Sequence, residues 1–105
     1  MPYEIAISKA MVVADKGSIA VGSGAVGIPA ASLDKAKGGE IEVLLGVETD
    51  QIRLSLDATA AGATDMLFDV GDKIRISGPK TCRDLTMIQV TTAATVRYVV
   101  FGKAI

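Results

Sequence analysis

From Gln51 to Phe101 the chain places apolar side chains at every second residue in short runs: QIRLSLD (51–57), DKIRISG (72–78) and MIQVT (87–91). A period of two points one set of side chains into a core and the other into water, which is the pattern of a half-buried strand. Ile52, Leu54 and Leu56 are expected on one face, opposite Arg53, Ser55 and Asp57. Ile74 and Ile76 oppose Lys73, Arg75 and Ser77, and Ile88 and Val90 oppose Gln89 and Thr91. The gaps carry turn residues: Asp57-Ala-Thr, Gly62, Val70-Gly71-Asp72 and Gly78-Pro79. This half therefore reads as antiparallel β-structure with no room for a βαβ unit, which excludes most small-molecule enzymes.

A fourth strand, ATVRYVVF (94–101), has a different character. Val96, Tyr98 and Val100 share one face, but Val99 and Phe101 make the other face apolar as well. Such a strand must be covered on both sides. Either it lies centrally with a loop over its outer side, or it contributes to a subunit interface.

The first half alternates less clearly. Strands are expected near Tyr3–Ile7, Ala10–Ala14, Ser18–Val21 and Val26–Leu33, with turns at Asp15-Lys16-Gly17 and Gly22-Ser23-Gly24. Residues 34–39 read as a polar loop, and Glu40–Glu48 as a strand with Ile41, Val43, Leu45 and Val47 on one face. Thr49-Asp50 then predicts a hairpin in which Glu40–Glu48 pairs with Gln51–Asp57. Residues 1–25 either complete this sandwich or form an extended arm, adding a strand to a neighbouring subunit. Pro79–Leu85 has room for one short helical turn.

With 105 residues the chain makes one domain. Half of the residues are hydrophobic but only 4% are aromatic, and much of the apolar content is Ala and Val. Such a core gains less per residue than one built from Leu and Phe, which favours self-association. The formal net charge is −1 and Lys and Arg are scattered, so phosphate neutralisation on a nucleic acid is disfavoured. No run approaches a membrane span, and Glu4 stands where a signal peptide would carry positive charge.

The chemistry-bearing residues are few. There is no histidine and one cysteine, Cys82. His-dependent nucleophilic catalysis, His- or thiolate-bound metal and an intrachain disulfide are therefore outside its reach. No cofactor, metal site or enzymatic activity is expected. Gly22-Ser-Gly24-Ala-Val-Gly27 fits G-x-G-x-x-G, but Pro29 stands where a dinucleotide-binding helix would continue. A turn between strands is the expected role. Glu40 and Glu42 read as a solvated strand face. Asp65, Asp69 and Asp72 surround a loop in which calcium is conceivable without EF-hand spacing, while Asp57, Asp65 and Asp72 are placed to organise turns through backbone N–H groups. A carbohydrate-binding module would want exposed aromatic residues, and the chain has two Tyr, two Phe and no Trp.

The second half carries a resemblance. An IRLSLD strand, a Thr/Ala/Gly loop ending in Thr64, the apolar Met66-Leu67-Phe68, V-G-D at 70–72 and an IRIS strand come in that order. A segment ending in Leu85, an M-I-Q-V strand and a T-A-A-T-V-R-Y close complete it. This order resembles small β-sandwich structural proteins of tailed bacteriophages. The resemblance implies a non-enzymatic virion protein, assembled in the host cytoplasm and placed on the capsid surface. As a decoration or cement protein it would bridge major capsid protein subunits, as a homotrimer. Neck, tail or fibre attachment is the alternative within a virion, and a carbohydrate-binding β-sandwich module the alternative outside it. The expected fold is a single antiparallel β-sandwich over 1–105, jelly-roll-like, of about eight strands. The residues expected at interfaces are Tyr3, Ile5, Arg53, Arg75, Arg97, Val99 and Phe101.

Overall fold

The computed structural model describes residues 11–36 and 39–103. It is an all-β sandwich of two antiparallel sheets, with seven strands among the described residues where about eight were expected. The strands are β1 (Met11–Val21), β2 (Ile41–Val47), β3 (Ile52–Ser55), β4 (Met66–Phe68), β5 (Lys73–Ser77), β6 (Thr86–Gln89) and β7 (Ala94–Lys103). Two short helices, α1 (Ala30–Leu33) and α2 (Pro79–Asp84), complete the order. One sheet runs β1-β7-β2-β5 and the other β4-β3-β6.

The core lies between the sheets. Val43, Leu45 and Val47 of β2 meet Val96, Tyr98 and Val100 of β7 and, from the other sheet, Ile52, Leu54 and Met87. Cys82 and Leu85 close one end and Leu33 of α1 packs beside them. β7 is interior to its sheet, flanked by β1 and β2.

Three connections cross directly between sheets at one end of the sandwich: 48–51, 69–72 and 90–93. They are bonded to each other. Thr49 Oγ1 accepts from the Thr95 N–H (2.8 Å), and the Glu48 N–H donates to the Thr95 carbonyl (3.0 Å). Asp50 accepts from the Thr92 hydroxyl. The Gly71 N–H donates to Val47 O (2.8 Å), and the Val47 N–H to Asp72 O (3.0 Å). At the opposite end α2 carries the chain from β5 to β6, with Gly78 at its N-cap in a positive-φ conformation (104°) and Pro79 at its first turn.

Several expectations are corrected here. Glu40–Glu48 and Gln51–Asp57 do not pair as a hairpin: β2 pairs with β5 and β7, and β3 with β4 and β6. Both strands point their apolar set into the same core from opposite sides, which a corner satisfies as well as a hairpin. Of the strand expected over Ala10–Ala14, the described residues from Met11 on belong with Ser18–Val21 to one strand, because a bulge between Val13 and Asp15 absorbs the break in alternation. Val26–Leu33 is not a strand. Pro29 opens a helical turn of Ala30, Ala31, Ser32 and Leu33, and Ala30 and Ala31 are both exposed. On β6 the inward residue is Met87, paired with Leu54, while Ile88 is half-buried on the outer face. Leu56 lies past the end of β3 and is exposed. The turn of helix expected at Pro79–Leu85 is present as α2.

Candidate interaction surfaces

Most of the described carboxylates are spent on structure. Asp57 accepts from the Ser55 hydroxyl (2.9 Å) and the Thr59 N–H (3.1 Å), and these two donors hold its carboxyl below the ordinary 3.8. Asp65 accepts from the Gly62 N–H (2.8 Å) and Asp72 from the Asp69 N–H (2.7 Å). All three organise turns, as their positions suggested. Glu42 accepts from Arg75 (3.1 and 3.2 Å) and from the Ser77 hydroxyl (2.8 Å), while Glu40 is exposed ahead of β2. Among the described residues no three Cys, Asp or Glu side chains converge to hold a metal ion. Cys82 is fully buried, and burial pushes its thiol up to about 11. Its nearest acceptor is the Ile76 carbonyl, 3.5 Å away.

The glycine motif covers a strand edge. From the end of β1 the segment runs back along the free side of β6. The Gln89 N–H donates to Gly22 O (2.9 Å), the Met87 N–H to Val26 O (2.7 Å) and the Val26 N–H to Met87 O (2.9 Å). The element that follows is four residues long and the strand before it lies in an antiparallel sheet. That is not the parallel strand–turn–helix of a dinucleotide site.

Two surfaces remain unspent. The first is the outer face of the four-stranded sheet. Arg97, Val99 and Phe101 of β7 point away from the core, beside Leu44 of β2 and Arg75 of β5. Four of the residues expected at an interface are thus brought onto one face. Phe101 is buried there, Val99 and Leu44 are half-buried, and Val13, opposite Phe101 on β1, is 57% exposed. Shallow depressions of about 350 and 150 Å³ flank Arg97, with Lys16 and Gly17 on one side and Leu44 and Lys73 on the other. Arg97 pairs with Glu48 (2.9 Å) and Arg75 with Glu42 (3.1 Å). Lys16 and Lys73 are in no ion pair among the described residues.

Arg53 lies elsewhere. It sits on the outer face of the three-stranded sheet, and its Nη1 donates to the Asp65 carbonyl (2.9 Å) at the start of β4. Tyr3 and Ile5 lie outside the described residues, as do residues 1–10 of the arm considered over 1–25; Met11–Val21 of that stretch pair with β7 of their own chain.

The second surface is the edge strand β4. It is three residues long, paired only with β3, and wholly apolar. Met66 is 62% and Leu67 48% exposed, with Leu56 and Val70 also exposed nearby in sequence. Asp65 and Asp69 bracket it. This surface escapes a reading by alternation because it is too short to repeat. A segment-by-segment charge count finds it. Residues 50–72 hold five Asp and one Arg, a net −4 within a chain of net −1, so the remainder carries +3.

Comparison of the chain with protein-family models, with curated proteins and with solved structures finds no match.

Proposed function

We propose that the protein is a non-enzymatic assembly protein that works by presenting sheet surfaces to other proteins. The observation that carries this reading is the apolar surface left exposed on an otherwise well-paired sandwich: Val12 and Val13 at one sheet edge, and Met66, Leu67 and Val70 at the other sheet. Exposed apolar side chains grouped in this way mark interaction sites. The described acidic groups other than Glu40, by contrast, are occupied by turns and ion pairs, and the one thiol is buried and protonated.

The order of strands and turns in the second half supports a narrower reading. The protein would be a capsid decoration protein of a tailed phage, bridging major capsid subunits on the head surface. Its mechanism would be multivalent. Several modest contacts made at once must break together, so the bridge holds far better than any single contact.

The test is copy number. Mass spectrometry of purified virions should recover this chain at about one copy per major capsid subunit, in line with a bridging role on every capsomer. A handful of copies per particle would move it to the neck or tail. Absence from the particles would remove the virion reading altogether.

A further inference from the structure

The two unspent surfaces are complementary to each other. The outer face of the four-stranded sheet offers Lys16 and Lys73, in no ion pair among the described residues, around half-buried Leu44 and Val99. The β4 edge offers exposed Met66 and Leu67 between Asp65 and Asp69. Neither surface suits a copy of itself. Antiparallel pairing of two β4 strands would bring Asp65 of one against Asp69 of the other, and like charges directly opposite are destabilising.

The other sheet edges are blunted. Residues 22–26 lie along β6, β1 carries a bulge with Asp15 and Lys16, and β5 carries Lys73 and Arg75. β4 has only its shortness.

We propose that copies of this chain associate head to tail, the acidic β4 edge of one docking on the basic outer face of the four-stranded sheet of the next. Opposite charge steers the approach and fixes which surface meets which, while the apolar side chains are removed from water. Because the two surfaces differ, the contact is heterologous and generates a ring or an open chain. The idea rests on the assembly reading above but not on the capsid. It concerns the isolated protein, so its failure and the failure of virion binding are separate results.

The experiment is sedimentation velocity on the full chain and on two variants. Leu67→Lys spoils the β4 edge. Lys16→Glu with Lys73→Glu spoils the sheet face. All three positions are exposed, and equal urea midpoints confirm that each variant folds. The wild type is expected to associate at low salt, with affinity falling about tenfold or more between about 0.05 and 0.5 M sodium chloride as the charges are screened. Each variant alone should stay monomeric. A 1:1 mixture should give a dimer and nothing larger, because each partner keeps the one surface the other lacks. A monomeric wild type, self-association of either variant alone, or a mixture that remains monomeric would each overturn the proposal.

Discussion

A methyl group added at Gly27 would lie 2.7 Å from the Leu85 carbonyl oxygen, whereas one added at Gly22 or Gly24 meets nothing within 4 Å. The obstacle at Gly27 is backbone and cannot swing aside. Gly27→Ala is therefore expected to cost about 1–3 kcal/mol, while Gly22→Ala should stay within about 0.5 kcal/mol of wild type. Urea denaturation of the two variants checks this, and a nucleotide-type role for the motif would not order them so. Cys82 gives a second prediction. Its folded pKa, about 11, is raised above the ordinary 9.0. The unfolded thiol ionises first, so its contribution is intact below about pH 9 and is lost as pH rises toward 11. The urea midpoint of wild type should fall more steeply between these values than that of Cys82→Ala. Below pH 9 the native thiol should resist alkylation until the protein unfolds.

At the scale of elements, Tyr98 ties β7 to its neighbours. Its ring lies over Gly17 of β1, where an added methyl would sit 2.8 Å from the hydroxyl oxygen. That hydroxyl is hydrogen-bonded to Ser32 of α1 (2.7 Å) in a buried site. Tyr98→Phe leaves Ser32 without this partner and should cost about 1–2 kcal/mol by urea denaturation. Strand β2 was legible in the sequence because Ile41, Val43, Leu45 and Val47 all face the core and nothing interrupts them. Pairing was not. Alternation says which way a side chain points, and β2 and β3 point at the same core from opposite sheets. The bonds that distinguish a corner from a hairpin, Thr49 to Thr95 and Asp50 to Thr92, join residues more than 40 positions apart. β1 was cut in two for a related reason. One bulged residue inverts the pattern downstream, so Asp15-Lys16-Gly17 looks like a turn inside a continuous strand.

For the whole molecule, acid stability follows from carboxylates that folding has occupied. Asp15 is held below its ordinary value first by the Ser32 hydroxyl, Asp50 by the Thr92 hydroxyl, and Asp57 by the Ser55 hydroxyl. Each folded value lies below 3.8, so at low pH the unfolded chain takes up protons first. Their stabilisation is present above about pH 4 and is lost as pH falls through the folded values. The urea midpoint should be level from pH 7 to 5 and drop toward pH 3, with a shallower drop in Asp50→Asn. Of the two surfaces, the basic face was partly visible in Arg75, Arg97 and Val99. The acidic one showed only as Asp65, Asp69 and Asp72 around a loop and not as a surface, because a total of −1 conceals a −4 stretch. The three bonded crossings at 48–51, 69–72 and 90–93 act like the spine of a book whose covers are the two sheets. Thermal opening should begin at the fore-edge, where the two short helices α1 and α2 lie in the segments that tie one cover to the other. The amide of Val47, bonded into the spine, should be among the last to exchange with deuterium, and that of Ala63, exposed in the loop between β3 and β4, among the first.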